Sequence, residues 1–204
     1  MRLNVGTRAM SFQENLRSDC TVEVQSVSSG VRLLPCRSAH VLAGLGLQLH
    51  RPFHRDSVFL MLLALGPMVW LGMIKVLAVQ PLPWHAIWSP AFLSVALWQP
   101  LVEELLFRGI VQGHVLQSIG RQKTWIGLSI PNVLTSLLFA LAHLAGHSLS
   151  WSLLVFVPSL CFGFVRDRFG SVYPSIALHA FYNTGYFLLM GGVTLLNSRS
   201  GSFL

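Results

Sequence analysis

The sequence predicts an all-α fold, a polytopic membrane helix bundle of about five transmembrane helices with the N-terminus in the cytoplasm. Hydrophobic residues make up 53% of the 204 residues and charged residues only 10%. The mean hydropathy of +0.61 lies outside the range of ordinary soluble proteins. Several apolar runs approach the roughly 20 residues that a helix needs to cross a bilayer. Length and composition together favour one membrane domain.

The predicted elements follow from the apolar runs and their breaks. Residues 1–57 carry seven arginines and no run long enough to span, so we predict a flexible or peripheral basic cytosolic segment. The predicted spans are 58–80, 88–101 with its continuation into a charged motif, 125–145, 151–165 and 171–196. The transmembrane domain therefore covers 58–196, and a polar tail covers 197–204.

Basic residues lie in every second predicted connection. Arg121 and Lys123 lie in one connection, Arg166 and Arg168 in another, and the N-terminal segment holds most of the remaining cations. The connections near 81–87 and 146–150 have none. This alternation predicts five spans with a cytoplasmic N-terminus. Because the cations do not form a patch with interleaved aromatic residues, we predict a lipid bilayer around the protein and no nucleic acid.

The three cysteines do not indicate a disulfide framework. Cys20 and Cys36 lack metal-ligand spacing, and Cys161 lies in an apolar run, where a cysteine behaves as a small hydrophobic residue.

An acidic pair and an arginine interrupt the end of the second predicted span. Charged groups in a bilayer core cost on the order of 2.5–3.5 kcal/mol each unless they are paired or wetted, which indicates a functional site. Glu104 and Arg108 have the i,i+4 spacing, acid first, that favours an ion pair on a helix. Glu103 lies about 100° round the helix and need not share that arginine. We therefore expect Glu103 to act as the base, with Glu104 and Arg108 in support, although an interfacial salt-bridge cluster is the alternative.

Two more polar groups recur at helical spacing on later spans. His143 follows Phe139 by four residues, but a lone histidine in a membrane helix more often hydrogen-bonds to another helix than catalyses. His179 and Asn183 are also i,i+4, and each can donate a hydrogen bond. Two donors on one face suit an oxyanion, although such pairs also join helices.

The three motifs together resemble a known family. Glu103-Glu104-x-x-x-Arg108, Phe139-x-x-x-His143 and His179-x-x-x-Asn183 occur in this order on separate predicted spans. The pattern, within about 97–189, resembles the CPBP (Abi, type II CAAX prenyl protease-like) family of glutamic intramembrane endopeptidases. The resemblance implies that Glu103 and His143 activate water and that His179 and Asn183 stabilise the oxyanion.

The resemblance also implies the surroundings and the class of substrate. The chain is shorter than the eukaryotic enzyme and has fewer spans, which favours a compact multi-pass protein of a bacterial inner membrane. We expect no cofactor. The expected substrate is a membrane-associated protein or peptide, with a C-terminal sorting tail, a lipidated C-terminus or a secreted-peptide precursor as candidates.

Two other functions stay open. His143, His179 and a glutamate could be the three ligands of a catalytic zinc, although the chain has no His-Glu-x-x-His motif. The chain could also be a non-catalytic membrane protein, such as an immunity or scaffold protein. A serine mechanism is disfavoured, because no Gly-x-Ser-x-Gly elbow is present and Ser136 has no base at helical spacing.

The depth of His143 predicts where the third helix begins. Counted from Trp125, His143 would lie about 27 Å into the membrane, too deep to meet Glu103, whereas counted from Pro131 it lies about 18 Å deep. A proline also suits the first turn of a helix. We therefore predict that the third span begins near Pro131.

Overall fold

The computed structural model describes residues 24–27, 30–33, 44–48, 52–76, 80–122, 124 and 128–197. By its contacts the chain divides into two units, Met1–Ala43 and Gly44–Leu204. Cys20, Cys36, Lys123 and the tail after residue 197 lie outside the described residues. The domain boundaries predicted at residues 57 and 196 stay predictions.

The described part of the first unit is one hairpin. Strand β1 (Val24–Val27) pairs antiparallel with β2 (Gly30–Leu33), in the register Val24 opposite Leu33 and Val27 opposite Gly30. This hairpin was not predicted, because residues 21–30 show no sustained hydrophobic period.

The described part of the second unit is helical. Helix α1 is Ser57–Val76, and a short 3₁₀ turn, Trp84–Trp88, precedes α2. Helix α2 runs without a break over 90–119 as Pro90–Leu93, Ser94–Trp98, Gln99–Glu104, Leu105–Val111 and Gln112–Ile119, of which the second and fourth stretches are π-helical. Helices α3 (Ile130–His143), α4 (Leu149–Phe169) and α5 (Tyr173–Asn197) follow.

The helices that carry the polar motifs, α2, α3 and α5, are joined by direct contacts between α2 and α3 and between α2 and α5, and by α4. Helix α3 packs on α4, α4 on α5, and α5 on both α1 and α2. One buried cluster joins α1, α4 and the start of α5, and consists of Phe59, Phe162, Val165, Phe169 and Leu178. A second cluster, Leu82, Ala86, Phe92 and Ala96, lies around the start of α2. Of the helices that carry the polar motifs, α5 contributes Leu178 to the first cluster, and α2 contributes Phe92 and Ala96 to the second.

Local sequence signals set the ends of α3 and α4. The Ser129 hydroxyl accepts a hydrogen bond from the Asn132 N–H, and Pro131 occupies the first turn of α3. The prediction that this helix begins near Pro131 is therefore confirmed. Gly170 ends α4 in the left-handed conformation, with φ 65°, which favours glycine.

Two helices among the described residues are long and apolar enough to cross a membrane, Ser57–Val76 and Leu149–Phe169. Helix α3, with 14 residues, is a shorter apolar helix. The helical architecture of the second unit agrees with the predicted fold class, whereas the predicted number of five spans is not confirmed.

Candidate active site

The acidic motif lies where α2 changes its helical geometry. Glu103 and Glu104 end the α-helical stretch Gln99–Glu104, and Arg108 lies inside the π-helical stretch Leu105–Val111. A π turn widens the helix by one residue and is often found at functional sites. The change of geometry therefore falls between the acidic pair and its arginine.

Arg108 and Glu104 form a fully buried ion pair. Arg108 Nε lies 3.1 Å from Glu104 Oε2, and both side chains are 0% exposed. The remaining guanidinium nitrogens donate to the Ser136 hydroxyl at 3.4 Å and to the carbonyl and hydroxyl of Ser159 at 3.0 and 2.6 Å. The Phe139 ring lies 5.7 Å from the guanidinium carbon. The i,i+4 pair predicted from the sequence is present, and partners from α3 and α4 complete it.

His179 connects the two glutamates. Its Nδ1 lies 2.9 Å from Glu104 Oε1, and its Nε2 lies 3.8 Å from Glu103 Oε2. The imidazole is stacked on Phe162, with ring centroids 4.5 Å apart and planes 16° apart. Glu104 thus has one oxygen on His179 and the other on Arg108, so both of its oxygens are occupied.

Glu103 differs from its neighbour in exposure and in partners. Its side chain is 30% exposed, and its distance to His179 Nε2 exceeds a hydrogen bond. It interacts electrostatically with both His179 and His143. Of the two adjacent acids, Glu103 is therefore the one whose carboxylate remains open to a reacting molecule.

His143 reaches this cluster through Phe139. Its Nδ1 lies 2.9 Å from the Phe139 carbonyl one turn earlier on α3. The Phe139 ring lies 4.5 Å from the ring of His143 and 6.0 Å from that of His179. If Nδ1 donates to that carbonyl, Nε2 carries the lone pair and can accept a proton.

Asn183 has a partner that the sequence did not predict. Its amide nitrogen donates to the Val95 carbonyl on α2 at 2.9 Å. This bond joins α5 to the first π-helical stretch of α2, and it leaves one amide N–H and the amide oxygen for other partners. The structure brings together Glu103, Glu104, Arg108 and His179, with His143 adjacent, while Asn183 is engaged with the backbone.

The serines and asparagine around Arg108 were missed by sequence reasoning. Ser136 hydrogen-bonds to Asn132 Oδ1 at 3.1 Å, and the Asn132 amide donates to the Leu160 carbonyl. A signal was present, since Asn132 and Ser136 are i,i+4 inside an apolar helix, where polar groups need partners.

No group of three or more His, Cys, Asp or Glu side chains in the described part of the chain is arranged to hold a metal ion. Both oxygens of Glu104 are already engaged, and His147 stacks on His143, with ring centroids 5.9 Å apart. The ligand set that a zinc site would need is therefore not assembled from these residues.

Comparison with known protein families gives one match over the motif-bearing region. A family model described as Type II CAAX prenyl endopeptidase Rce1-like matches residues 84–185. This range contains all three polar motifs. No curated protein matches the chain, and no solved structure matches it either.

Proposed function

Because the chain belongs to the Type II CAAX prenyl endopeptidase Rce1-like family, we propose that it is a glutamic intramembrane endopeptidase. The family consists of membrane-embedded CAAX-type proteases, so this chain is a member of a protease family whose substrates are proteins in the membrane. We also propose which residues carry out the reaction, which family membership alone does not define. The observation that supports it is that a single imidazole, His179, lies between a buried, arginine-bound carboxylate and one that is 30% exposed.

The environments of the two acids support different roles. Glu104 is ionised in this proposal, because the Arg108 guanidinium and His179 Nδ1 each bind one of its oxygens. It orients His179 and does not touch the substrate. Glu103, whose carboxylate is 30% exposed and lies 3.8 Å from His179 Nε2, beyond hydrogen-bond distance, takes the proton from the attacking water. His143, which interacts electrostatically with Glu103, supports that water as a second acceptor.

The contact with Glu104 dictates which proton His179 carries. An ionised carboxylate only accepts, so Nδ1 must hold a hydrogen. A neutral imidazole would then present a bare lone pair at Nε2, which cannot stabilise an oxyanion. His179 therefore acts in its doubly protonated form, and Nε2–H donates to the developing oxyanion together with the free amide N–H of Asn183.

In the proposed reaction Glu103 carries one proton from the attacking water to the leaving nitrogen. Glu103 removes a proton from water as the hydroxyl oxygen bonds to the substrate carbonyl carbon, and the carbonyl oxygen becomes an oxyanion facing His179. When the C–N bond breaks, the electron pair stays on nitrogen, and Glu103 returns the proton to that nitrogen. The oxyanion re-forms the carbonyl as the C–N bond breaks, so the immediate products are a carboxylic acid and a neutral amine. The acid then ionises by releasing its proton to solvent, and no side chain is bonded covalently to the substrate.

The membrane topology belongs to the same proposal. Helices α1 and α4 are long and apolar enough to cross a bilayer, and we assign α2, α3 and α5 as the remaining spans of a five-span protein. The alternation of basic connections supports a cytoplasmic N-terminus. We assign the protein to a bacterial inner membrane, where its substrate would be a membrane-associated protein or peptide, such as a C-terminal sorting tail or a lipidated C-terminus.

A comparison of membrane proteomes tests this function. Cells that express the native chain, the Glu103→Ala variant or the His143→Ala variant would be compared for protein termini that appear only with the native chain. We expect both variants to accumulate in the membrane at native levels and to lose those termini. A farnesylated CaaX peptide, added to purified enzyme in liposomes, provides a direct substrate probe. Undiminished cleavage by both variants would contradict the proposed mechanism.

A further inference from the structure

A short segment that precedes α1 is bound through its backbone carbonyls to α4 and to the start of α5. Gly44–Gln48, which we call the strap, lies outside the region that matches the family. The Gly44 carbonyl accepts from Arg166 Nη2 at 3.1 Å, and the Gly46 carbonyl accepts from the Val172 N–H at 2.9 Å. The Tyr173 hydroxyl donates to the Leu47 carbonyl at 3.4 Å. Three carbonyls of five consecutive residues are thus bound by α4 and the start of α5.

Glycines on both sides make this approach possible. A Cβ on Gly113 of α2 would lie 2.5 Å from the Gly44 carbonyl oxygen, and a Cβ on Gly109 would lie 3.3 Å from the Leu45 carbonyl oxygen. Gly46 has φ +70°, and a Cβ there would lie 2.5 Å from the Arg166 guanidinium carbon. Contacts below 3.0 Å force a shift of the neighbouring atoms, so a side chain at Gly113 would displace the backbone of the strap, whereas one at Gly46 would displace the Arg166 guanidinium.

Arg166 joins the strap to the π turn beneath the catalytic cluster. Its Nε donates to the Arg108 carbonyl at 3.2 Å, while its Nη2 binds Gly44. The Gln112 N–H bonds to the Phe107 carbonyl, five residues earlier, and the helix then returns to α geometry. Such a return leaves one carbonyl more than there are backbone N–H donors. Arg166 donates a hydrogen bond to the carbonyl of Arg108 in this region. The side chain of the same Arg108 forms the ion pair with Glu104.

We propose that Arg166 is a positioning residue and that the strap is part of the active-site scaffold. Together they hold the π turn of α2 in the geometry that keeps the Arg108 side chain on Glu104, and therefore Glu103 opposite His179. The docking of the strap is independent of the reaction, whereas its effect on turnover rests on the proposed function. A displacement of about 1 Å at such a site can lower turnover by up to about a hundredfold.

Gly113→Ala in the full chain tests the proposal, with Gly72→Ala as the matched control. A Cβ on Gly72, which lies in α1, meets nothing within 4 Å. Two quantities are measured in liposomes: hydrogen exchange of the peptide that contains Val172, whose N–H is bound by Gly46, and kcat and KM for the cleaved substrate. We expect Gly113→Ala to accelerate Val172 exchange and to lower kcat about ten- to a hundredfold, with KM within about twofold. Gly72→Ala should change neither quantity.

A second pair of variants separates positioning from general destabilisation. Since alanine favours a helix more than glycine does, a loss in Gly113→Ala cannot come from weaker helix propensity. Arg166→Ala removes both carbonyl contacts, whereas Arg166→Lys keeps the charge but has one ammonium for two carbonyls. We expect kcat to decrease in the order native, Arg166→Lys, Arg166→Ala, measured on the monodisperse folded fraction. The lysine variant keeps the comparison usable if the alanine variant does not fold.

Each outcome decides one part of the proposal. Unchanged Val172 exchange in Gly113→Ala would overturn the docking of the strap, and faster exchange with native kcat would overturn its positioning role. If the native chain cleaves no substrate, the proposed function fails, while the exchange measurement still decides whether the strap is docked.

Discussion

Glu103 and Glu104 offer a matched test, because the same change, Glu→Gln, at adjacent positions should have opposite consequences. Gln keeps the shape of the side chain and one oxygen acceptor but removes the negative charge. In the proposed division of roles, Glu104→Gln should mainly destabilise the fold, and Glu103→Gln should mainly abolish turnover. The two variants share a helix and differ by one residue, so each is the control for the other.

The expected loss at Glu104 follows from its burial and its two contacts. The carboxylate is 0% exposed and is bound by Arg108 at 3.1 Å and by His179 at 2.9 Å. Removing one partner of a buried ion pair costs about 3–5 kcal/mol, because the remaining charge is left uncompensated. Since Gln still accepts one hydrogen bond, we expect a loss near 3 kcal/mol in the free energy of unfolding, a large share of the roughly 5–15 kcal/mol typical of a folded protein.

The expected effect at Glu103 is catalytic. Its side chain is 30% exposed, and its nearest ionisable partner, His179, is 3.8 Å away. A substitution with so few contacts should change the free energy of unfolding by about 0.5 kcal/mol or less. Losing the general base should lower kcat by about 10²- to 10⁴-fold.

Thermal unfolding in detergent, followed by tryptophan fluorescence, and cleavage of a substrate in liposomes measure the two effects. Equal destabilisation by both variants would refute the difference in environment. Native turnover in Glu103→Gln, combined with complete loss in folded Glu104→Gln, would reverse the assigned roles.

Four further predictions follow from individual contacts. Gly163→Ala should destabilise the protein by about 1–3 kcal/mol, because a Cβ would collide with Asn132 Oδ1; an unchanged melting temperature would contradict this packing. Asn183→Ala should lower kcat about 10²- to 10³-fold if its free N–H serves the oxyanion, and by far less if the residue only joins helices. The hydrogen bond from Arg168 holds the pKa of Asp56 below its ordinary value of 3.8. Its small stabilisation is therefore present above pH 3.8 and is lost as the pH falls below it, so native and Asp56→Asn melting temperatures should converge in acid. Chelators should leave cleavage unchanged, and loss of activity that zinc restores would instead support the zinc alternative.

Much of the fold follows from hydrophobic runs and breaks. The apolar run that became α1, the capped start of α3 at Ser129 and Pro131, and the end of α4 at Gly170 all have local signals in the sequence. The π turns of α2 have none, since a one-residue widening depends on which tertiary partners receive the displaced backbone groups. Arg166 shows this dependence: its charge marked a cytoplasmic connection, yet its side chain is 3% exposed and binds backbone carbonyls.

The site was predictable where two residues share one helix. The spacing of Glu104 and Arg108 predicted their ion pair, and the angle between Glu103 and Glu104 predicted that only one acid would bind the arginine. Contacts between helices could not be predicted in this way, because the spacing of residues along one helix does not define the rotation of its neighbour. The packed structure was therefore needed to show that His179 contacts Glu104 and that the Asn183 amide donates a hydrogen bond to the Val95 carbonyl.

The proposed mechanism depends on a pairing of charges that allows a membrane interior to hold a catalytic acid. Glu104 and Arg108 neutralise each other. In the proposed mechanism the doubly protonated His179 forms a second neutral pair with Glu103, so that the cluster has no net charge to desolvate. The second pair differs from the first in that its atoms lie 3.8 Å apart, too far for a hydrogen bond. An oxyanion formed next to His179 would replace Glu103 as its counter-charge just as Glu103 gains the proton from water. In the proposed reaction the cluster therefore stays neutral at each step, and the charge moves from the base to the oxyanion without leaving the site.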